Sequence, residues 1–186
     1  QQAYSEQAGG MLSVIGLDDA TLAELAETCG VELANFNSPG QTVLSGAIAG
    51  IEKAGLRARE AGAKRAIQLD VAGAFHSSLM VSAAEAFAGV LSEITLHESS
   101  IPVLSNVSGK PHEACTGIPS AMVKQITSSV QWVKNVQWMV RAGADTFVEC
   151  GPGKILTGLV KRIDKTPALH NICDFQSLER TVESLT

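Results

Sequence analysis

The chain is poor in aromatic residues: two Trp, one Tyr and five Phe in 186 residues. Its cores must therefore be packed mainly from Ala, Val, Leu and Ile. It also lacks an excess of positive charge. Fourteen basic against nineteen acidic side chains give a formal charge of −5, and no basic stripe is present to meet a phosphate backbone. That excludes a nucleic-acid-binding class. The four cysteines, Cys29, Cys115, Cys150 and Cys173, stand far apart with no CxxC pair, so neither a disulfide framework nor a metal knuckle is expected. No apolar run approaches the ~20 residues that span a bilayer. The first residues, Gln1-Gln2-Ala3-Tyr4-Ser5-Glu6-Gln7, carry no initiator Met, basic segment or apolar stretch of a signal peptide. They read as the middle of a longer polypeptide.

What is there is globular in composition, 45% hydrophobic and 18% charged. The first third reads as β-α-β-β-α-β. Met11 to Ile15 is a short apolar strand. Asp18 and Asp19 offer N-caps to a helix marked by Leu22, Leu25, Ala26 and Cys29 and stopped by Gly30. Val31 to Phe36 and Gln41 to Ser45 flank the turn residues Asn37-Ser38-Pro39-Gly40. A helix from Ala47 to Ala61 follows, then a strand through Ile67, Leu69 and Val71. That order is the split β-α-β, ferredoxin-like arrangement.

Beyond Asp70 helices alternate with short buried strands, which argues for α/β with a parallel sheet of which only two or three strands are visible. The expected elements are a helix over Met80 to Ile94, a strand at Pro102 to Ser105, and a loop from Val107 to Thr116. Helices from Pro119 to Thr127 and from Val130 to Arg141 follow, then a strand at Thr146 to Glu149. A helix opening at Gly151-Pro152-Gly153-Lys154 and a terminal helix from Ser177 complete the chain.

Of the four histidines, His76 has the most suggestive context. It follows the run Val71-Ala72-Gly73-Ala74-Phe75, read as strand, and precedes a helix that Ser77 or Ser78 can cap. Strand-to-helix junctions are where α/β enzymes hold catalytic groups; a capping or packing histidine is the plainer alternative. His97, His112 and His170 lie in polar surroundings and read as surface residues. A histidine base needs a nucleophile, yet no serine sits in a G-x-S-x-G elbow. Cys150 reads as a buried strand-end thiol. Gly151-Pro152-Gly153-Lys154 lacks the Walker spacing; it is a tight strand-to-helix turn or an anion site at a helix N-terminus. The positive charge available for an anionic ligand lies in the second half, at Lys110, Lys124, Lys154, Lys161, Arg162 and Lys165.

Several stretches, in one order and spacing, resemble the malonyl-CoA:acyl-carrier-protein transacylase family and, more distantly, the acyltransferase domains of polyketide synthases. They are Ile15-Gly16-Leu17-Asp18, Asn35-Phe36-Asn37-Ser38-Pro39-Gly40-Gln41, Gly62-Ala63-Lys64-Arg65-Ala66 and Val71-Ala72-Gly73-Ala74-Phe75-His76-Ser77. Further along come Ser105-Asn106-Val107, Lys124-Gln125-Ile126 with Val130-Gln131-Trp132, and Glu149-Cys150-Gly151-Pro152-Gly153-Lys154 with Leu156-Thr157-Gly158-Leu159. The resemblance implies an α/β-hydrolase-like large subdomain interrupted by a ferredoxin-like small one, here residues 9–71, with 72–186 returning to the large one.

The resemblance also implies a ping-pong transfer of malonyl from malonyl-CoA to the phosphopantetheine thiol of acyl carrier protein, in fatty acid biosynthesis. His76 matches the catalytic histidine, and Gln125 the glutamine whose backbone carbonyl holds the imidazole. Phe75 matches the bulky residue that goes with malonyl rather than methylmalonyl choice; packing is its plainer role. Asn106 matches a pocket-lining position. Malonyl-CoA enters as substrate, and neither a cofactor nor a metal is implied. The family's serine elbow, its malonyl-binding arginine and its oxyanion-hole loop all precede the small subdomain, and Gln1-Gln2-Ala3 looks like the segment just after that arginine. The chain alone is therefore expected to be inactive, with its large part poorly stable. The full-length protein is expected to be a cytoplasmic monomer, a lost transit peptide leaving plastid or mitochondrion open. The alternatives are an acyltransferase domain of a polyketide synthase and a non-catalytic, carrier-protein-binding paralogue.

Overall fold

The computed structural model describes residues 9–186, so the segment Gln1-Gln2-Ala3 singled out above lies outside the described residues. The fold is α/β. Its first part runs β1 (Gly9–Ile15), α1 (Asp19–Cys29), β2 (Val31–Ser38), β3 (Gln41–Ala47), α2 (Ile48–Glu60) and β4 (Arg65–Gln68). The strands form one antiparallel sheet in the order β2-β3-β1-β4, with Leu12 opposite Leu44 and Val14 opposite Thr42.

Period-two alternation decides what each strand buries. Leu12, Val14 and Leu44 pack with Leu22, Leu25, Ile51, Ala54 and Ala58 of the two helices. Met11, Ala34 and Val43 form a second cluster, joined by Leu69 and Phe75. Leu22, Leu44 and Ile51 are almost wholly enclosed, each contributing about 1.5–3 kcal/mol of burial. The punctuation read from sequence operates as expected. Asp18 accepts from Thr21 N at the head of α1, and Gly30 takes φ +67° at its end.

The remainder comprises a 3-10 turn at Ser78–Met80 running into α3 (Val81–Leu91), β5 (Leu104–Ser105), β6 (Lys110–Pro111), a 3-10 turn at Cys115–Gly117, α4 (Ile118–Thr127) and α5 (Trp132–Arg141). It ends with β7 (Thr146–Cys150), α6 (Ile155–Ile163), β8 (Ala168–Ile172) and α7 (Phe175–Leu185). β7 and β8 pair in parallel across α6, and β5 and β6 make a two-residue antiparallel ladder.

Several expectations are corrected. β4 ends at Gln68, and 71–75 is not a strand. Leu69 N still donates to Met11 O, but Val71 N turns back onto Leu69 O, which ends the ladder. Val130 does not open a helix; it bridges Asn35 of β2, and α5 starts at Trp132. The 107–116 loop contains β6 and the start of the second 3-10 turn, and β8 was not foreseen as a strand.

Candidate active site: a histidine held by a helix-end carbonyl

His76 stands at φ +60°, the only non-glycine positive φ among the described residues. A left-handed conformation of this kind costs about 1–3 kcal/mol and persists only where the surroundings over-determine it. Here they do. Ser77 Oγ donates to Ala74 O at 2.7 Å and accepts from Leu79 N at 3.3 Å, capping the 3-10 turn. Ser78 N and Oγ both donate to Glu32 Oε1, at 2.8 and 2.6 Å. Beneath the loop, Ala74 lies so close to β1 that a Cβ on Gly9 would sit 2.6 Å from its own Cβ.

The half-buried ring of His76 meets α4. Its Nδ1 is 2.9 Å from Gln125 O. Gln125 lies in the last turn of α4, where carbonyls have no partner four residues on; only a long 3.4 Å contact from Ser128 N shares this one. A carbonyl accepts and cannot donate, so Nδ1 carries the proton, and in the neutral ring the lone pair is on Nε2. The result is an imidazole with one nitrogen committed to the main chain, an arrangement that suits the other to take a proton. The helix C-terminus also places partial negative charge beside a ring that turns cationic when it does so.

The other residues singled out fall into different contacts. Phe75 packs against the cluster of Met11, Ala34 and Val43. Asn106 Oδ1 accepts from the buried Asn135 Nδ2 at 2.8 Å, and Asn106 O from Gln131 N at 2.7 Å, which ties it to the head of α5. His97 is exposed, whereas His112 and His170 are half-buried, the latter with Nδ1 3.3 Å from Ser184 Oγ. Cys150 is exposed rather than buried.

The Gly151-Pro152-Gly153 turn is the strand-to-helix device, and its helix end is already filled. Glu149 reaches across it to accept from Leu156 N, Thr157 N and Thr157 Oγ1 at 3.1, 2.8 and 2.9 Å. These bonds, the Thr157 amide first, hold its carboxyl below the usual range. With that carboxylate in place, an anion has no claim on the N-terminus of α6. A cavity of about 640 Å³ between α6, β8 and α7 is lined by Lys154, Lys161, His170 and Arg180, and by none of His76, Phe75, Gln125 or Asn106. Among the described residues no His, Cys, Asp and Glu cluster could hold a metal ion, and no helix is long and apolar enough to cross a membrane.

Glu32 and Gly9 were missed from sequence. The signals were an acidic residue inside a strand, where acids are depleted, and a glycine at a strand start, where a missing side chain can mark a close backbone approach.

The chain belongs to the acyl transferase domain family, whose model matches residues 2–171. Within it, the chain is 44% identical over 170 residues to the malonyl CoA-acyl carrier protein transacylase of Salmonella typhimurium, covering 89% of this chain and 55% of that protein. It superposes on the crystal structure of the malonyl CoA-acyl carrier protein transacylase of Clostridium perfringens with a TM-score of 0.94 and 37% identity, covering 100% of this chain and 60% of that one. A malonyl-transacylase solved with a type II polyketide synthase acyl-carrier protein matches at TM-score 0.91 and 38% identity, over 99% and 61% of the two chains. The chain thus spans a little over half the length of these relatives.

Proposed function

We propose that this chain is the base-bearing part of a malonyl-CoA:acyl-carrier-protein transacylase of fatty acid biosynthesis. Residues 9–71 form its ferredoxin-like small subdomain, and 72–186 the C-terminal part of its α/β-hydrolase-like subdomain. The observation that carries the reading is the His76 Nδ1 to Gln125 O bond on a strained loop. The strand order β2-β3-β1-β4 supports the subdomain assignment. Apolar side chains left exposed on α6 and α7, such as Ile155, Phe175 and Val182, fit a surface that packs on the remaining half of the fold.

In this reading a serine hydroxyl outside the chain attacks the thioester carbonyl of malonyl-CoA and gives its proton to His76 Nε2. The coenzyme A thiolate leaves and takes that proton. The phosphopantetheine thiol of the carrier protein then loses its proton to Nε2, attacks the malonyl-serine ester, and the proton returns to the serine oxygen. Phe75 occupies the space that a 2-methyl group would need, and Asn106 lines the acyl pocket. No cofactor or metal takes part. The working protein is a monomer in the cytoplasm.

The likeness to the transacylase solved with a polyketide carrier protein supports a second reading for the acceptor alone; transfer rates to fatty-acid and polyketide carrier proteins separate the two. The main test is the intact mass of the native protein before and after malonyl-CoA. One malonyl group gained on a serine outside this chain is the expected result. A protein that gains none, in which this chain only binds carrier protein, would overturn the reading.

A further inference from the structure

We infer that Glu32 is a positioning residue for the base, an inference that rests on the reading of His76 as that base. β2 is an edge strand of the four-stranded sheet, and its outer side is stitched to both halves of the His76–Gln125 pair. On one half, Phe36 N donates to Val130 O at 2.9 Å and Val130 N to Ala34 O at 2.8 Å, while Ser129 Oγ donates to Leu33 O. These bonds anchor the segment that follows α4, at Ser129 and Val130, just past the helix end that holds Gln125. On the other half, Glu32 Oε1 takes both the amide and the hydroxyl of Ser78, two residues beyond His76.

Residues 32–36 of one strand thus set the separation of the ring and its carbonyl. The main-chain bonds on the Gln125 side hold whatever side chains β2 carries. The contact on the His76 side is made by a side chain, and a carboxylate that accepts from an amide and a hydroxyl is a short, strong anchor. Glu32 does not touch the ring; it acts through Ser78, by holding the loop in which His76 keeps its positive φ. A loop released there lets the ring swing from Gln125 O, and a misplacement of about 1 Å costs on the order of a hundredfold in rate.

The test uses the whole acyl-transferring protein that includes this chain. Glu32→Ala is expected to lower kcat for malonyl transfer on the order of ten- to a hundredfold, with KM for malonyl-CoA nearly unchanged. In nitrogen-15 NMR its His76 ring should pass from Nδ1–H to a mixture of tautomers. Glu32→Gln, whose amide oxygen can accept both bonds, should recover most of the rate and the Nδ1–H form. If Glu32→Ala does not fold, Ser78→Ala, which deletes the hydroxyl bond and keeps the amide bond, should show the same two changes at smaller size. Normal kcat and an unchanged His76 tautomer in the folded variants would overturn the assignment of Glu32 while His76→Ala still abolished transfer. Full transfer by His76→Ala would instead remove the base reading itself.

Discussion

A histidine oriented by a carbonyl differs in kind from one oriented by a carboxylate, because the orienting group belongs to the main chain and every residue type supplies it. Gln125→Ala should therefore leave kcat within a fewfold of the parent and His76 in its Nδ1–H form; a loss approaching the ~10²–10⁴-fold worth of a general base would mean that the amide side chain does the work. The close approach of Gly9 and Ala74 makes a complementary prediction. Gly9→Ala puts a methyl 2.6 Å from the Ala74 Cβ and 2.9 Å from its amide nitrogen. It should destabilise the fold by about 1–3 kcal/mol and lower transfer in the same variant, read by thermal unfolding and turnover together. At this scale His76 was legible as a candidate, and Gln125 only through family resemblance. A backbone acceptor leaves no trace in residue type, and neither does a loop conformation that several weak contacts enforce.

Among the elements, those with a strong period and explicit caps were readable: Asp18 and Gly30 do what their chemistry suggests, while the turn read at 37–40 narrows to Pro39–Gly40 because Asn37 and Ser38 continue β2. The run 71–75 misled because it is apolar without having a strand partner, and β8 escaped because Ala168, His170 and Asn171 break the alternation of a half-buried strand. The Glu149 carboxylate spans the turn at 151–153 and accepts from Leu156 and Thr157, and this gives a pH prediction. A carboxyl held below its usual range contributes stability that is fully present above the unfolded-state value of about 4.3. That contribution is lost as pH falls through the lower folded-state value. The parent should exceed Glu149→Gln in urea stability near neutrality, and the difference should shrink through the acid range. A difference independent of pH would assign the effect to shape rather than to charge.

For the whole molecule, stability is unevenly spread. Of the largest fully buried apolar side chains among the described residues, Val14, Leu22, Leu44 and Ile51 belong to the first part and only Val136 to the second, where β7 and β8 make a sheet of two strands and α6 and α7 keep apolar side chains exposed. In the isolated chain, amide exchange should be slowest in β1, β3 and α2 and fastest in β7, β8 and α7. Leu44→Ala should cost about 2–5 kcal/mol. Uniform protection across the chain would contradict this division. The isolated polypeptide is expected not to transfer malonyl for a separate reason: it brings the proposed base with its orienting carbonyl and no serine in a G-x-S-x-G elbow. The most direct measurement is the malonyl-transfer rate of the complete protein with His76 intact and as His76→Ala. A drop of about 10²–10⁴-fold, with malonyl-CoA binding retained, is the predicted result, and an unchanged rate would contradict the assignment of His76 as the base.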